Sequence, residues 1–302
     1  MGLVKLLVIA ALLLWIAAVL SVAWMLTHPV RRTYASAVSR KRPGDPSELQ
    51  PPRPFEHWVF RSRNLDFPVW DIKGDLAEGG PVIILSHGWS DSRVGGLMRV
   101  EALAPFASRL ILWDSRGHGE APGTCALGTT EVDDLLCLLE RVPVNVQRVL
   151  YGWSLGAGIS MAAAARGAVV AAVIAESPYR LPITPARNVL RARGLPYRSN
   201  LPPAIGLLRV LIGRDLSPRQ FDRASLAAQL SCPLLVLHGE VDEVCPVEDG
   251  QAIARAAARG SFAPVPAGRH NDLWTDPSLA RQCHQEVHNF LTRIIAAPSG
   301  AT

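Results

Sequence analysis

The sequence has no pattern that would staple a small secreted fold or hold a metal. Its five cysteines, Cys125, Cys137, Cys232, Cys245 and Cys283, are odd in number, and none stands in a CxxC or Cys/His cluster. Neither a disulfide framework nor a metal site is signalled, and the cysteines read as small apolar core residues. Internal repeats and low-complexity tracts are absent. Acidic residues are missing before Asp45, a stretch that holds Lys5, Arg31, Arg32, Arg40, Lys41 and Arg42. Those six account for the formal charge of +5, because the remaining basic residues nearly match the 26 acidic ones. The rest of the chain is near neutral, which argues against a nucleic-acid partner.

What is present divides into two regions. Leu6 to Leu26 is an uncharged apolar run of 21 residues, about 30 Å as a helix and so matched to the hydrocarbon thickness of a bilayer. A cleavable signal peptide would have a shorter apolar core of about 7–15 residues followed closely by small residues. Here Thr27, His28, Pro29, Val30, Arg31 and Arg32 follow, so residues 1–28 read as an uncleaved, single-pass membrane anchor. The basic residues after it can face anionic lipid headgroups. Their excess over the single Lys5 before the run places the remainder of the chain on the cytoplasmic side by the positive-inside rule, and the unpaired cysteines lean the same way. Residues 29–54, rich in Arg, Pro and Ser with little periodicity, read as a tether.

From Phe55 onward, 55–302 has the length and composition of one large globular domain. HWVFRS and FPVWDIKG read as an antiparallel pair. PVIILSHGW, RLILWDSRGHG, VQRVLYGWSLG, AAVIAESPY, PLLVLHGEVD and the weaker SFAPVPAGRHND then alternate with helical stretches over Leu97–Ser108, Glu131–Arg141, Leu155–Ala165 and Arg281–Ile295. That rhythm predicts an α/β fold with a mainly parallel sheet and helices on both faces. The polar residues ending each strand would converge on one edge. The interval of about 178–230 carries six prolines from Pro178 to Pro203; it is longer than a simple crossover and predicts a small lid.

Gly152-Trp153-Ser154-Leu155-Gly156 follows a strand and opens a helix, the context of a nucleophile elbow. The serine must adopt a strained turn, and side chains two residues either side would collide with neighbouring elements. Serine is a weak nucleophile near neutral pH and needs a base held in one tautomer. Of the histidines after Ser154, His238 lies inside a strand end and His284 and His288 lie in the last helix. His270, in the loop GRHND, is the candidate base. Asp242, two strands after the elbow, is the candidate orienting acid, with Glu176 at the preceding strand end as the competing carboxylate. The oxyanion donors are assigned to the backbone N–H groups of Leu155, after the nucleophile, and Trp89, in SHGW. The indoles of Trp89 and Trp153 can wall an apolar acyl pocket. In DSRGHG, Asp114 and Arg116 are expected to pair in a structural loop.

SHGW, DSRGHG, GWSLG, HGEVDEVCP and GRHND, in this order, resemble the α/β-hydrolase superfamily, most closely its serine aminopeptidase-type and esterase-like branches. The resemblance covers Phe55 to the C-terminus. It implies a Ser154–His270–Asp242 triad with Trp89 and Leu155 as oxyanion donors, needing no cofactor and no metal. The expected activity is cleavage of a carboxylic ester or thioester, or an amide, of a small-molecule or lipid-like acyl substrate through an acyl-enzyme. Acyl transfer to an acceptor other than water, serine peptidase activity and a non-catalytic binding role on the same fold are the alternatives. The acyl chain, the leaving group and the oligomeric state are not legible in the sequence.

Overall fold

The computed structural model describes residues 2–213 and 221–295. Helix α1 (Gly2–Thr27) is long and apolar enough to cross a membrane. Its first half stands away from the rest of the chain, whereas Val19, Val22, Ala23 and Leu26 near its end are buried in the main core. The segment that composition presents as a tether is laid on the domain. A short helix α2 (Tyr34–Val38) buries Ala37, Arg31 donates to the carbonyls of Gly119 and Ala121 at 3.3 and 2.7 Å, and Ser90 Oγ donates to the Val30 carbonyl at 3.2 Å.

Strands β1 (Phe55–Ser62) and β2 (Leu65–Lys73) pair antiparallel from Ser62↔Leu65. Their two-residue turn sets Arg63 and Asn64 at φ 46° and 61°, the doubly left-handed turn whose twist suits a tight hairpin. Next come β3 (Val82–Ser86), the one-turn helices α3 (Arg93–Gly96) and α4 (Val100–Leu103), and β4 (Arg109–Trp113). The single helix expected over Leu97–Ser108 is instead a chain of one-turn helices, some of them 3-10, and Pro105 ends it early.

Helix α5 (Thr130–Leu139), β5 (Arg148–Trp153), α6 (Leu155–Ala165) and β6 (Ala172–Glu176) follow. The proline-rich interval then holds α7 (Ile183–Ala192), α8 (Tyr197–Ile212) and α9 (Arg223–Ala227). The chain finishes with β7 (Leu234–Gly239), α10 (Val247–Ala256), β8 (Gly260–Val265) and α11 (Pro277–Ile295), the last starting one turn before Arg281.

The eight strands form one sheet in the order β1-β2-β4-β3-β5-β6-β7-β8, parallel from β4 through β8. β3, β5, β6 and β7 are buried along their whole length, as continuous apolar runs covered on both faces should be. One core beneath the sheet joins Leu135, Ile159, Leu208 and Ile253 with the end of α1; the other joins Leu103, Tyr151, Val287 and Phe290. The chain leaves β3 toward β4 and then returns to β5 on the other side of β3, so the order reverses at β3/β5. In open α/β sheets such a switch point opens the ligand crevice beyond the strand ends.

Candidate active site

Ser154 stands at that switch point. It lies between the last residue of β5 and the first of α6, with φ +52° and ψ −107°, a conformation that a non-glycine residue adopts at a cost of about 1–3 kcal/mol. Surrounding structure holds it there. The Ser154 N–H donates to the Glu176 carbonyl at 2.8 Å. A side chain on Gly152 would come within 2.2 Å of the Gly156 carbonyl oxygen, and one on Gly156 within 1.9 Å of the Ser86 carbonyl oxygen. The turn therefore tolerates only glycine at both places.

His270 and Asp242 come together from the loops after β8 and β7. His270 Nδ1 donates to Asp242 Oδ2 at 2.8 Å, while Asp242 Oδ1 accepts from the backbone N–H groups of Val244 and Cys245 at 2.9 and 2.7 Å. All of the carboxylate's facing bonds favour its charged form. Burial alone would raise the Asp242 pKa, but the bond and charge of His270 with those N–H donors bring it below the usual carboxylate range. His238, buried nearby with Nε2 bonded to the Cys245 carbonyl at 2.9 Å, is 3.5 Å from Asp242 Oδ2 and does not face Ser154 Oγ in any hydrogen bond of the described residues.

Cys245 is the residue that reading from sequence missed. Fully buried, it places Sγ 4.0 Å from Ser154 Oγ and within 4.8 Å of a His270 ring nitrogen. Ser154 and His270 share no direct hydrogen bond among the described residues, which is common before a substrate draws such groups into line. Burial pushes the Cys245 thiol up, so at neutral pH it is protonated. Burial also opposes the charged form of His270, yet the Asp242 carboxylate on Nδ1 favours it, and its pKa lies well above the ordinary histidine value. Ligand atoms of Asp242, Cys245 and His270 lie within 4.8 Å of one another. A cation seated there would have to break the Asp242–His270 bond, so the set suits proton handling better than metal binding.

Leu155 is the first residue of α6, so its N–H is among those that helix geometry leaves without an intrahelical acceptor. Trp89 lies across the crevice, with its indole Nε1 donating to the Leu26 carbonyl of α1 at 3.0 Å. Both residues, with Trp153, line a cavity of about 240 Å³ that contains Ser154 and His270. The end of α1 (Met25, Leu26) and one face of α7 (Ala186, Val189) complete its apolar wall.

Glu176, the competing acid, is fully engaged elsewhere. It accepts from Arg99 Nε at 2.7 Å and Nη2 at 2.5 Å, from Trp274 Nε1 at 2.9 Å and from the Tyr151 hydroxyl. The expected Asp114–Arg116 pair does not form. Asp114, at the end of β4, turns to the start of α3 and accepts from the Arg93 N–H and guanidinium at 2.7 and 2.8 Å; Arg116, two residues on, points to Asp134 at 2.7 Å. His118 is buried against the Arg116 carbonyl, and burial drops its pKa to about 4.

The class follows from the fold and from the strained turn at the switch point: this is a hydrolase of the α/β type. The family model described as "Alpha/beta hydrolase family" matches residues 83–282, and the chain belongs to that family. Human Protein ABHD12B is 31% identical over 223 residues, covering 68% of this chain and 59% of its own. The zebrafish (Danio rerio) Lysophosphatidylserine lipase ABHD12 is 26% identical over 242 residues, covering 72% and 59%. The chain thus spans less than two thirds of the length of these curated relatives. Among solved structures, an esterase of Pyrococcus furiosus superposes with a TM-score of 0.66 at 17% identity, over 90% of this chain and 99% of that one. The relatives include a named lipase, and the solved structure shows that the fold is shared.

Proposed function

We propose that the protein cleaves the ester of a lipid-like acyl substrate through an acyl-enzyme on Ser154. Ser154 Oγ attacks the ester carbonyl carbon, and its proton passes to the free nitrogen of His270. Asp242 stabilises the imidazolium so formed and fixes which ring nitrogen faces the serine. The developing oxyanion is received by the N–H groups of Trp89 and Leu155, aided by the positive end of α6. As the C–O bond breaks, His270 returns the proton to the leaving alcohol. The cycle then repeats with water: His270 takes its proton, hydroxide adds to the acyl carbon, and Ser154 leaves with the proton restored.

The observation that carries this reading is the position of the apolar cavity, which holds Ser154 and His270 on one side and the end of α1 on the other. The name of the zebrafish relative, a lysophosphatidylserine lipase, supports a single-chain lipid ester. An acyl chain leaving a bilayer along α1 would enter this cavity without crossing water. Membrane anchoring by α1, with the domain on the cytoplasmic face beside the basic residues Arg31 to Arg42, belongs to the same reading. A fluorophosphonate probe should label the wild-type chain and leave Ser154→Ala unlabelled, and that variant should lose ester turnover with its fold intact. Labelling of Ser154→Ala, or more than trace turnover by it, sinks the assignment. Protease that clips the domain from outside intact cells would reverse the orientation.

A further inference from the structure

A second cavity of about 250 Å³ adjoins the first and shares Arg32, Trp153, His270 and Asn271 with it. The two differ in chemistry. The first is walled mainly by tryptophans and aliphatic side chains, with Arg193 at its edge. The second is lined by four arginines, Arg32, Arg40, Arg42 and Arg99, against two acids, Asp91 and Glu176. Arg99 is consumed by its bidentate bond to Glu176, and Arg32 stands 3.7 Å from Asp91. Arg40 and Arg42 are exposed on the segment that α2 folds over the site, and Asp91, which Arg32, Arg99 and Arg40 all face, cannot neutralise them together. The cavity therefore carries an excess of positive charge a short step from the reacting atoms.

We propose that this second cavity is a headgroup site, in which Arg40 and Arg42, with Arg32 at the shared mouth, receive the phosphate of an anionic single-chain phospholipid. The proposal rests on the ester-hydrolase reading and adds the half of the substrate that the apolar cavity cannot recognise. With the acyl chain against Trp89, Val189 and Leu26, the ester lies at Ser154 and the glycerol carries the phosphate past His270 and Asn271 into the basic cavity. Guanidinium groups suit that anion because their planar N–H pairs meet phosphate oxygens two at a time. The same chemistry admits a free glycerophosphate, so substrate and soluble anion must be separated by experiment.

The test uses the full chain in neutral detergent micelles, where attraction to a charged surface plays no part. Hydrolysis of an oleoyl lysophosphatidylglycerol is compared with that of monooleoylglycerol, which has the same acyl chain and no charge. Wild type should prefer the anionic lipid by about tenfold or more in kcat/KM, chiefly through KM, and Arg40→Glu/Arg42→Glu should bring the ratio close to unity or below. In parallel, Ser154→Ala protein is titrated calorimetrically with the same anionic lipid and with glycerol 3-phosphate. Binding of the lipid that weakens about tenfold with the double substitution supports the headgroup site, and tight binding of glycerol 3-phosphate alone would mark a site for a soluble anion and overturn it. A ratio unchanged by the double substitution overturns it as well. If wild type cleaves neither lipid yet the charge-dependent lipid binding is seen, the hydrolase reading fails and the headgroup site stands.

Discussion

His87 fixes the peptide that follows it: Nδ1 lies 2.8 Å from the Gly88 carbonyl oxygen, and Nε2 accepts from the Ser115 N–H at 3.0 Å. The second bond requires Nε2 to be unprotonated, so Nδ1 carries the proton and donates to Gly88. Burial lowers the His87 pKa to about 3, which keeps the ring neutral throughout the working range. The carbonyl it holds belongs to the Gly88–Trp89 peptide, whose N–H points the opposite way. His87 is thus a positioning residue for the proposed Trp89 oxyanion donor. His87→Ala should lower kcat about 10- to 100-fold with little change in KM, less than the full loss of a donor. His87→Asn, whose amide can still donate to Gly88, should recover part of the loss. Equal losses in kcat and substrate affinity would point to simple misfolding of the loop.

The two carboxylates at neighbouring strand ends should separate by what each variant damages. Asp242→Asn keeps an oxygen for the Val244 and Cys245 N–H groups but turns an amide donor toward His270, fixing the wrong tautomer. We expect kcat to fall about 10³- to 10⁴-fold with the melting temperature nearly unchanged. Glu176→Gln leaves the buried Arg99 without its counter-charge, which should cost about 3–5 kcal/mol of stability, while the folded fraction keeps activity within about tenfold. Paired calorimetry and steady-state kinetics on both variants decide it; a stable but inactive Gln variant would move the orienting acid to Glu176.

The acidic limb of the kcat/KM profile should lie above the ordinary histidine range. His270 acts as base only when neutral, so activity is lost as pH falls through its pKa, and the Asp242 carboxylate on Nδ1 raises that pKa. Cys245→Ala removes a thiol that is uncharged at neutral pH. Its limb should stay in place, with Ser154 still reactive toward fluorophosphonate. A limb that moved to lower pH would mean that a Cys245 thiolate shares in setting the histidine.

Shortening the chain to begin at Pro29 should not yield an intact enzyme. The cut removes Met25 and Leu26 from the apolar cavity, deletes the carbonyl that Trp89 bonds, and uncovers core contacts of Val19, Val22 and Ala23. Each large apolar side chain so lost is worth about 1.5–3 kcal/mol of burial. We expect a lower melting temperature and a selective loss on long acyl esters, read as the ratio of p-nitrophenyl laurate to acetate hydrolysis. A shortened chain with the full-length ratio would show that α1 does not wall the site.

The succession of strands along the chain, the mainly parallel sheet and the elbow were legible because each is written locally. Apolar runs end in turn residues, and Gly152 and Gly156 flank a serine within five positions. His270 and Asp242 could be proposed from their places in the chain order. What could not be read were relations between residues distant in sequence: Arg93 rather than Arg116 reaching Asp114, Glu176 saturated by Arg99, Tyr151 and Trp274, and Cys245 lodged between Ser154 and His270. The segment from Arg31 to Pro54 was also opaque. Its contacts are scattered hydrogen bonds and ion pairs, such as Arg31 to the carbonyls of Gly119 and Ala121 and Arg32 to Asp91, and these leave no periodic trace in composition.

Helix α1 runs into the domain without a free joint. Its last turns are sunk in the core, and Trp89 holds the Leu26 carbonyl near its end. A flexible leash would let a catalytic domain tumble above a surface and sample many depths. In the membrane-anchored arrangement proposed above, a helix welded in this way acts as a fixed post: the tilt that the bilayer imposes on the helix is passed to the whole molecule. The mouth of the apolar cavity is then held at one height and one heading relative to the lipid, so bilayer thickness becomes a variable to which the enzyme's rate should respond.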